Sequence, residues 1–359
     1  MPYDWQTALI GLVILLDLGV FLSQISMKQL ADAAGLDVST VSRALRGDQK
    51  RVAASTIERV QMLARELGFV ADPVAASLRS GRSRMLGVVV HSLTDIVMGH
   101  LVTAIDEASQ ELGYLSTVVA THDDVDARNR AIDRLLGRRV DGLILCESKI
   151  DDEIPPRLKS GEVPFVFAMR GGQTGVSVTA DDLAGGALVA QHFLDAGHRV
   201  VAAVPGPRHA RTAVERLLGY QTLLGKHPEV KFLPPGPHSG FAVEDGFRAT
   251  VDLLNGKTRP TAIFCANDHS AIGAGRAIVD AGLRIGRDIA LVGYNDIPQA
   301  AYLETPLSSV RTDVRLMGRT AAQQLIALIN GESALTAQIA PTLVVRQSSA
   351  HPALTAADV

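Results

Sequence analysis

The sequence predicts an α/β protein: a small N-terminal helix-turn-helix domain followed by two doubly wound α/β lobes. Three observations carry that expectation. Apolar residues recur at helical spacing through "LADAAGLDVSTVSRALRG", Leu30 to Gly47. From Met85 onward, apolar strands alternate with amphipathic helical stretches. Charge is also uneven, with ten Lys or Arg against six acids between Ser26 and Arg84 on a 359-residue chain of net charge −3. A basic segment on an otherwise acidic chain suits a nucleic-acid module joined to a different body.

The elements follow in order. Residues 1–24 hold the apolar run "ALIGLVILLDLGVFL", Ala8 to Leu22, which is shorter than a bilayer requires, is interrupted by Asp17 and has no basic flank before Lys28. The expectation is an extension from an upstream start, or a peripheral tail, and not a working anchor. Residues 25–71 read as three short helices. Leu30, Ala33, Ala34 and Leu36 mark the first, and Gly35 sits at the turn. Asp37 suits the N-cap of the second, with Val41, Ala44 and Leu45 inward. The third runs from Ala54 to Leu67, with Ile57, Val60, Leu63, Ala64 and Leu67 on one face, and Gly68 ends it. Residues 72–84 are a linker.

Residues 85–347 show strands at Leu86–Val90, Leu115–Val119, Gly142–Leu145, Phe165–Phe167, Val200–Val204, Ala262–Phe264 and Ile289–Val292. Strands separated by helices imply parallel sheets, and this length implies two similar lobes with a cleft beyond the carboxyl ends of the strands. The tail, 348–359, has no heptad pattern, so no coiled-coil tetramer seam is expected there.

With 47% hydrophobic and 20% charged residues the chain is globular. Cys146 and Cys265 each end an apolar run and read as core thiols, with no nearby His to make a metal site. No metal or cofactor is expected. The chain shows no P-loop, no paired zinc spacing and no serine elbow, and "GAGRAI", Gly273 to Ile278, falls inside a helix pattern where a dinucleotide fingerprint does not belong. The reading is therefore not an enzyme.

An ordered set of motifs then resembles the lactose-repressor (LacI/GalR) family of bacterial transcription regulators, over about Ile25 to Gln347. "MKQLADAAGLDVSTVSRAL" is similar to the family's first two helices, "DPVAASLRSGRS" to its hinge segment and "RMLGVVV" to the first strand of its effector domain. "RVDGLIL", "DDLAGGALVAQHFLDAGHRVVAAVPGP", "IFCANDHSAIGAGRAI" and "DIALVGYNDIP" continue the pattern. The resemblance implies a lambda-repressor-like DNA-binding domain, a hinge and a periplasmic-binding-protein-like effector domain. It further implies a ligand-responsive regulator, most often a repressor, that binds a palindromic operator on double-stranded DNA as a homodimer in the cytoplasm, at the nucleoid, without membrane contact. The alternative is a solute-binding sensor of the same two-lobed fold with no transcriptional role. Such a protein needs an export signal and has no use for residues 26–84.

By the resemblance, Val38, Ser39 and Arg43 face bases in the major groove, Arg43 as a bidentate partner for guanine, while Thr40 and Ser42 hold phosphate. In an isolated helix Arg43 reads equally as a solvated surface arginine. Leu78 is the expected minor-groove wedge, with Arg79 beside it on phosphate. In the cleft the resemblance points to His91, Asp95, Arg170, Arg216, Asn267, Asp268 and Asn295 as effector contacts. A polar helix cap explains Asn267 and Asp268 as simply. Where many relatives carry "NPFF", this chain has "DIVM", Asp95 to Met98, Met169 stands where Asp is frequent, and Asn295 replaces the first Asp of "GYDD". Losing an aromatic pair and two carboxylates while keeping two arginines favours a polar or anionic carbohydrate-like effector, such as a sugar phosphate or sugar acid, over a stacked purine.

Overall fold

The computed structural model describes residues 25–70, 81–153, 156–234, 236 and 240–350. The chain divides into two compact units, Met1–Ser83 and Arg84–Val359.

In the first unit, α1 (Met27–Ala34), α2 (Val38–Leu45) and α3 (Ala54–Glu66) appear where periodicity placed them. Ser26 and Gln29 close a capping box on α1, and Gly35 ends it at φ 63°, a left-handed conformation that costs glycine little. Leu30, Val41, Ala44, Ile57 and Val60 form one buried cluster. Leu67, expected on the inner face of α3, caps that helix and is exposed.

The second unit begins with β1 (Met85–Val90), α4 (Ile96–Glu111), β2 (Leu115–Ala120), α5 (Val125–Gly137), β3 (Gly142–Leu145), α6 (Pro156–Lys159), β4 (Phe165–Ala168) and β5 (Ser177–Ala180). It continues with α7 (Asp182–Asp195), β6 (Val200–Val204), α8 (Arg211–Leu224), β7 (Lys231–Leu233), α9 (Val243–Leu254), β8 (Ala262–Cys265), α10 (Asp268–Asp280) and β9 (Ala290–Asn295). A 3₁₀ turn (Pro298–Tyr302), β10 (Ser308–Arg311), α11 (Val314–Ile329), β11 (Ala337–Ile339) and β12 (Thr342–Val344) complete it.

Two six-stranded sheets result, ordered β11-β5-β4-β3-β1-β2 and β12-β10-β9-β8-β6-β7. Every pairing is parallel except β10 with β12. The chain passes between lobes after β5, returns after β10 when α11 packs on the first sheet, and passes again between β11 and β12. Five strands escaped the sequence reading. Three have three residues each and lie on or beside sheet edges, and the other two, "SVTA" and "SSVR", are too polar to read as buried. Ser308 and Ser309 are nevertheless fully buried, because their hydroxyls donate to the Arg346 carbonyl and the Asp268 carboxylate.

Helices α7 and α8 touch backbone to backbone. A methyl at Gly219 would meet the Leu183 carbonyl at 1.9 Å, and one at Gly186 would meet the Arg216 carbonyl at 1.9 Å. These glycines set Arg216 against the base of α7. Cys146 and Cys265 are free and buried, and burial pushes both thiols up. Among the described residues no helix is long and apolar enough to cross a membrane.

Candidate nucleic-acid interface and ligand cleft

Helix α2 presents Val38 and Ser39 to solvent and leaves Thr40, Ser42 and Arg43 half-buried, while Val41 and Ala44 anchor its inner face. Asp37 caps the helix through one carboxylate oxygen and takes side-chain hydroxyls on both. Its Oδ1 accepts from the Ser39 and Thr40 amides at 3.0 and 3.2 Å. The Ser39 hydroxyl donates to Oδ1 at 2.6 Å and the Thr40 hydroxyl to Oδ2 at 2.9 Å. These bonds, that of Ser39 first, hold the Asp37 carboxyl down at about 2. Leu78 and Arg79 lie outside the described residues, as do residues 1–24.

Between the lobes, His91, Asp95, Arg170, Arg216, Asn267 and Asn295 line one cleft, together with Val97, Met169, Thr212 and Phe241. His91 follows β1, and its Nε2 lies 3.4 Å from Asp95 Oδ2, while its Nδ1 is buried without a partner. Asp95 caps α4 through the Val97 and Met98 amides. Burial pushes the Asp95 carboxyl up, but His91 and those amides outweigh it and hold the group below its usual range.

Both arginines are already paired. Arg170 makes a bidentate bridge to Asp123, at 2.6 and 3.3 Å, and is 2% exposed. Arg216 donates from Nε to Asp182 at 2.8 Å, from Nη1 to the Ala266 carbonyl at 2.7 Å and from Nη2 to Asn295 at 3.4 Å. Its Cζ lies 3.7 Å from the centre of the Tyr294 ring. Neither guanidinium is a free cation: Arg170 is paired with Asp123 and Arg216 with Asp182. Phe241 supplies an aromatic ring from the second lobe, although the "DIVM" segment gives none.

Asp268 is a correction. It does not line the cleft: the residue is 1% exposed, and its carboxylate accepts from the Ile297 amide at 2.8 Å and the Ser309 hydroxyl at 2.6 Å. Burial pushes it up to about 7. Asn267 caps α10 through the Ser270 amide at 2.9 Å, its Nδ2 donates to the Phe241 carbonyl at 2.9 Å, and the residue lines the cleft.

Sequence reasoning also missed Asp123, Asp182 and Glu147. Glu147 is buried behind Asp123 with the Thr121 hydroxyl donating to it, and burial pushes it up to about 7. The signal was present in "LILCES", where a carboxylate directly follows a buried strand. Several non-glycine residues at the strand ends adopt left-handed backbone: Asp123 (58°), Met169 (66°), Asn295 (101°) and Asp296 (53°). Strain of this kind concentrates where a fold holds side chains toward a ligand. The lobes are tied at the cleft mouth by the Ile150 amide on the His209 carbonyl at 3.1 Å, Arg211 Nε on the Gly171 carbonyl at 3.3 Å, and His209 Nε2 at 3.6 Å from Asp123.

Residues 26–72 match the bacterial regulatory proteins of the lacI family, and residues 190–349 match a periplasmic binding protein-like domain. The lactose operon repressor of Escherichia coli (strain K12) is 32% identical over 330 residues, which cover 90% of each chain. The chain belongs to the lacI family of bacterial regulatory proteins. The fold of this lacI-family chain superposes on the crystal structure of the lac repressor dimer bound to operator and the anti-inducer ONPF with a TM-score of 0.78 at 29% identity, covering 91% of this chain and 99% of that one. The complex of the transcriptional regulator CelR with cellobiose gives a TM-score of 0.68 at 28% identity, covering 90% of this chain and all of that one (100%).

Proposed function

We propose that this chain is a sequence-specific transcriptional repressor whose operator affinity is set by a neutral, carbohydrate-like effector held between the two lobes, and that it catalyses no reaction. The observation that carries the reading is the joining of an α2 whose outer face is small and mostly polar to a two-lobed body whose cleft gathers six of the seven side chains expected there. Relatives that match along nearly the whole chain include a repressor bound to its operator and a regulator bound to a disaccharide.

On the DNA side, Val38, Ser39 and Arg43 read bases, with Arg43 on guanine, and Ser42 and Arg79 hold phosphate. Leu78 wedges into the minor groove between two hinge segments. The protein works as a homodimer on a palindromic operator, in the cytoplasm and at the nucleoid. The second lobe offers apolar surface for that pairing: Tyr302 is 89% exposed next in sequence to Leu303, and Leu303 lines one surface groove with Val279.

On the effector side, His91, Asp95, Arg170, Arg216, Asn267 and Asn295 are the polar contacts and Phe241 the stacking face. Asp123 and Asp182 neutralise the two guanidiniums, and Asp95 stays ionised, so the cleft favours hydroxyl groups over phosphate or carboxylate. The cleft is narrow, with about 30 Å³ free between its walls, far less than a sugar occupies. A sugar therefore enters by parting the lobes at the His209 contacts, and this changes the spacing of the hinge segments. Operator affinity then shifts by a coupling energy of about 1–3 kcal/mol.

The test is recovery of sheared genomic DNA on the purified full-length protein at near-physiological salt, followed by sequencing. A few palindromic sites are expected, and their affinity should change on adding neutral sugars and not sugar phosphates. Recovery of no enriched site, with and without metabolites, refutes the reading. Calorimetric binding of a sugar phosphate in preference to its parent sugar refutes the neutral effector.

A further inference from the structure

The cap of α2 has a consequence for base recognition, and it rests on the DNA-binding reading above. A hydroxyl carries one hydrogen and two lone pairs, so a serine or threonine on DNA can ordinarily donate or accept. In this chain the hydrogens are committed. Ser39 Oγ donates to Asp37 Oδ1 at 2.6 Å and Thr40 Oγ1 to Asp37 Oδ2 at 2.9 Å, beside the two amide bonds that fix the same carboxylate at the head of α2. We infer that Asp37 makes Ser39 and Thr40 acceptors only, so that they read the exocyclic amino groups of adenine or cytosine in the major groove and do not hold phosphate.

The alternatives are electrostatically worse. A phosphate oxygen, guanine O6 and N7, adenine N7 and thymine O4 are all acceptors and cannot use a lone pair. Turning either hydroxyl toward phosphate trades one anionic acceptor for another and leaves the Asp37 anion short of a donor beside a polyanion. With its carboxyl held down at about 2, Asp37 keeps that charge at every working pH. The adenine N6 and cytosine N4 amino groups are the major-groove donors that lone pairs can meet. Ser39 is exposed and Thr40 half-buried, so neither residue is sealed from solvent. This replaces the expectation that Thr40 anchors the backbone.

The test uses the full-length chain and an operator recovered as above. Base pairs at which preference flattens in Ser39→Ala or Thr40→Val are those the hydroxyls read. At each, the amino group alone is removed, by purine for adenine or 2-pyrimidinone for cytosine, and in separate duplexes the N7 acceptor is removed by a 7-deaza purine or the flanking phosphate is neutralised as a methylphosphonate. Loss of the amino group should weaken binding about fivefold, the value of one hydrogen bond, with less than about twofold change from the other two. Asp37→Ser keeps a capping oxygen and should melt as a folded domain, yet it releases a hydroxyl hydrogen and should erase that discrimination. A parent protein sensitive to the 7-deaza or methylphosphonate change and indifferent to the amino group overturns the inference. So does an Asp37→Ser protein with the parent's pattern, or Ser39→Ala and Thr40→Val proteins that flatten no position. Failure of the parent to enrich any DNA sequence instead brings down the DNA-binding reading, and this inference with it.

Discussion

Deleting the Asp182 carboxylate tests the electrostatics of the cleft most directly. Arg216 and Asp182 are 6% and 2% exposed, and the guanidinium cannot shed its proton. In Asp182→Ala the cation keeps the Ala266 carbonyl at 2.7 Å, Asn295 at 3.4 Å and the Tyr294 ring at 3.7 Å, all of them neutral partners. Breaking a buried pair costs about 3–5 kcal/mol, and the neutral partners place this case near the lower end, at about 3 kcal/mol. With a urea dependence of about 3 kcal/mol per molar, the unfolding midpoint of the two-lobed unit, followed by circular dichroism, should fall by about 1 M. Removing both charges in Asp182→Leu with Arg216→Met leaves no unpaired ion, and the midpoint should return to within about 1 kcal/mol of the parent. Two results would refute the reasoning: an Asp182→Ala midpoint unchanged within about 0.5 kcal/mol, or a double variant that loses the sum of the two single losses.

Arg43→Ala should cost about 1–3 kcal/mol of operator affinity and relax base preference, read by competition between operator and random DNA in gel shifts; an unchanged ratio removes Arg43 from the groove. Leu78→Ala should bind DNA yet bend it less, measured by energy transfer between the ends of an operator duplex, and equal bending removes the wedge. For pH, burial raises Asp268 from 3.8 to about 7, so the folded chain holds a proton that the unfolded chain has lost between those values. Its stabilising contribution is complete below the unfolded pKa and is lost as pH rises through the folded one. Asp268→Asn cannot titrate, and its amide nitrogen cannot accept as one of the two carboxylate oxygens does, so it starts less stable than the parent and should gain on it as pH rises from about 4 to about 7, seen as a converging difference in urea midpoints. A difference independent of pH shows that Asp268 is ionised throughout.

Helix positions were legible because their determinants lie within a few residues of one another. Ser26 with Gln29, Gly35 and Asp37 specify where α1 and α2 begin and end, and Leu30, Val41 and Val60 specify what they bury. Runs such as "MLGVVV" and "GLIL" likewise announce strands buried on both faces. The polar strands "SVTA" and "SSVR" gave no such signal, since burying their serines depends on partners such as Arg346 and Asp268 from elsewhere in the fold.

By itself, the sequence determined the helix-turn-helix, the repeated α/β texture, the family and most of the side chains that meet in the cleft. Only the tertiary structure decided their electrical and hydrogen-bonding state. Asp123 lies 47 residues before Arg170 and Asp182 lies 34 before Arg216, yet sheet order and the close crossing of α7 on α8 bring each pair into contact. Phe241 reaches the cleft from the second lobe, while Asp268 turns beneath it to Ile297 and Ser309. Caps and periodicity are local and can be read along a chain. Whether a buried charge is neutralised, or a hydroxyl's hydrogen is already committed, depends on which atoms stand within about 3 Å of it, and the folded arrangement alone sets that distance.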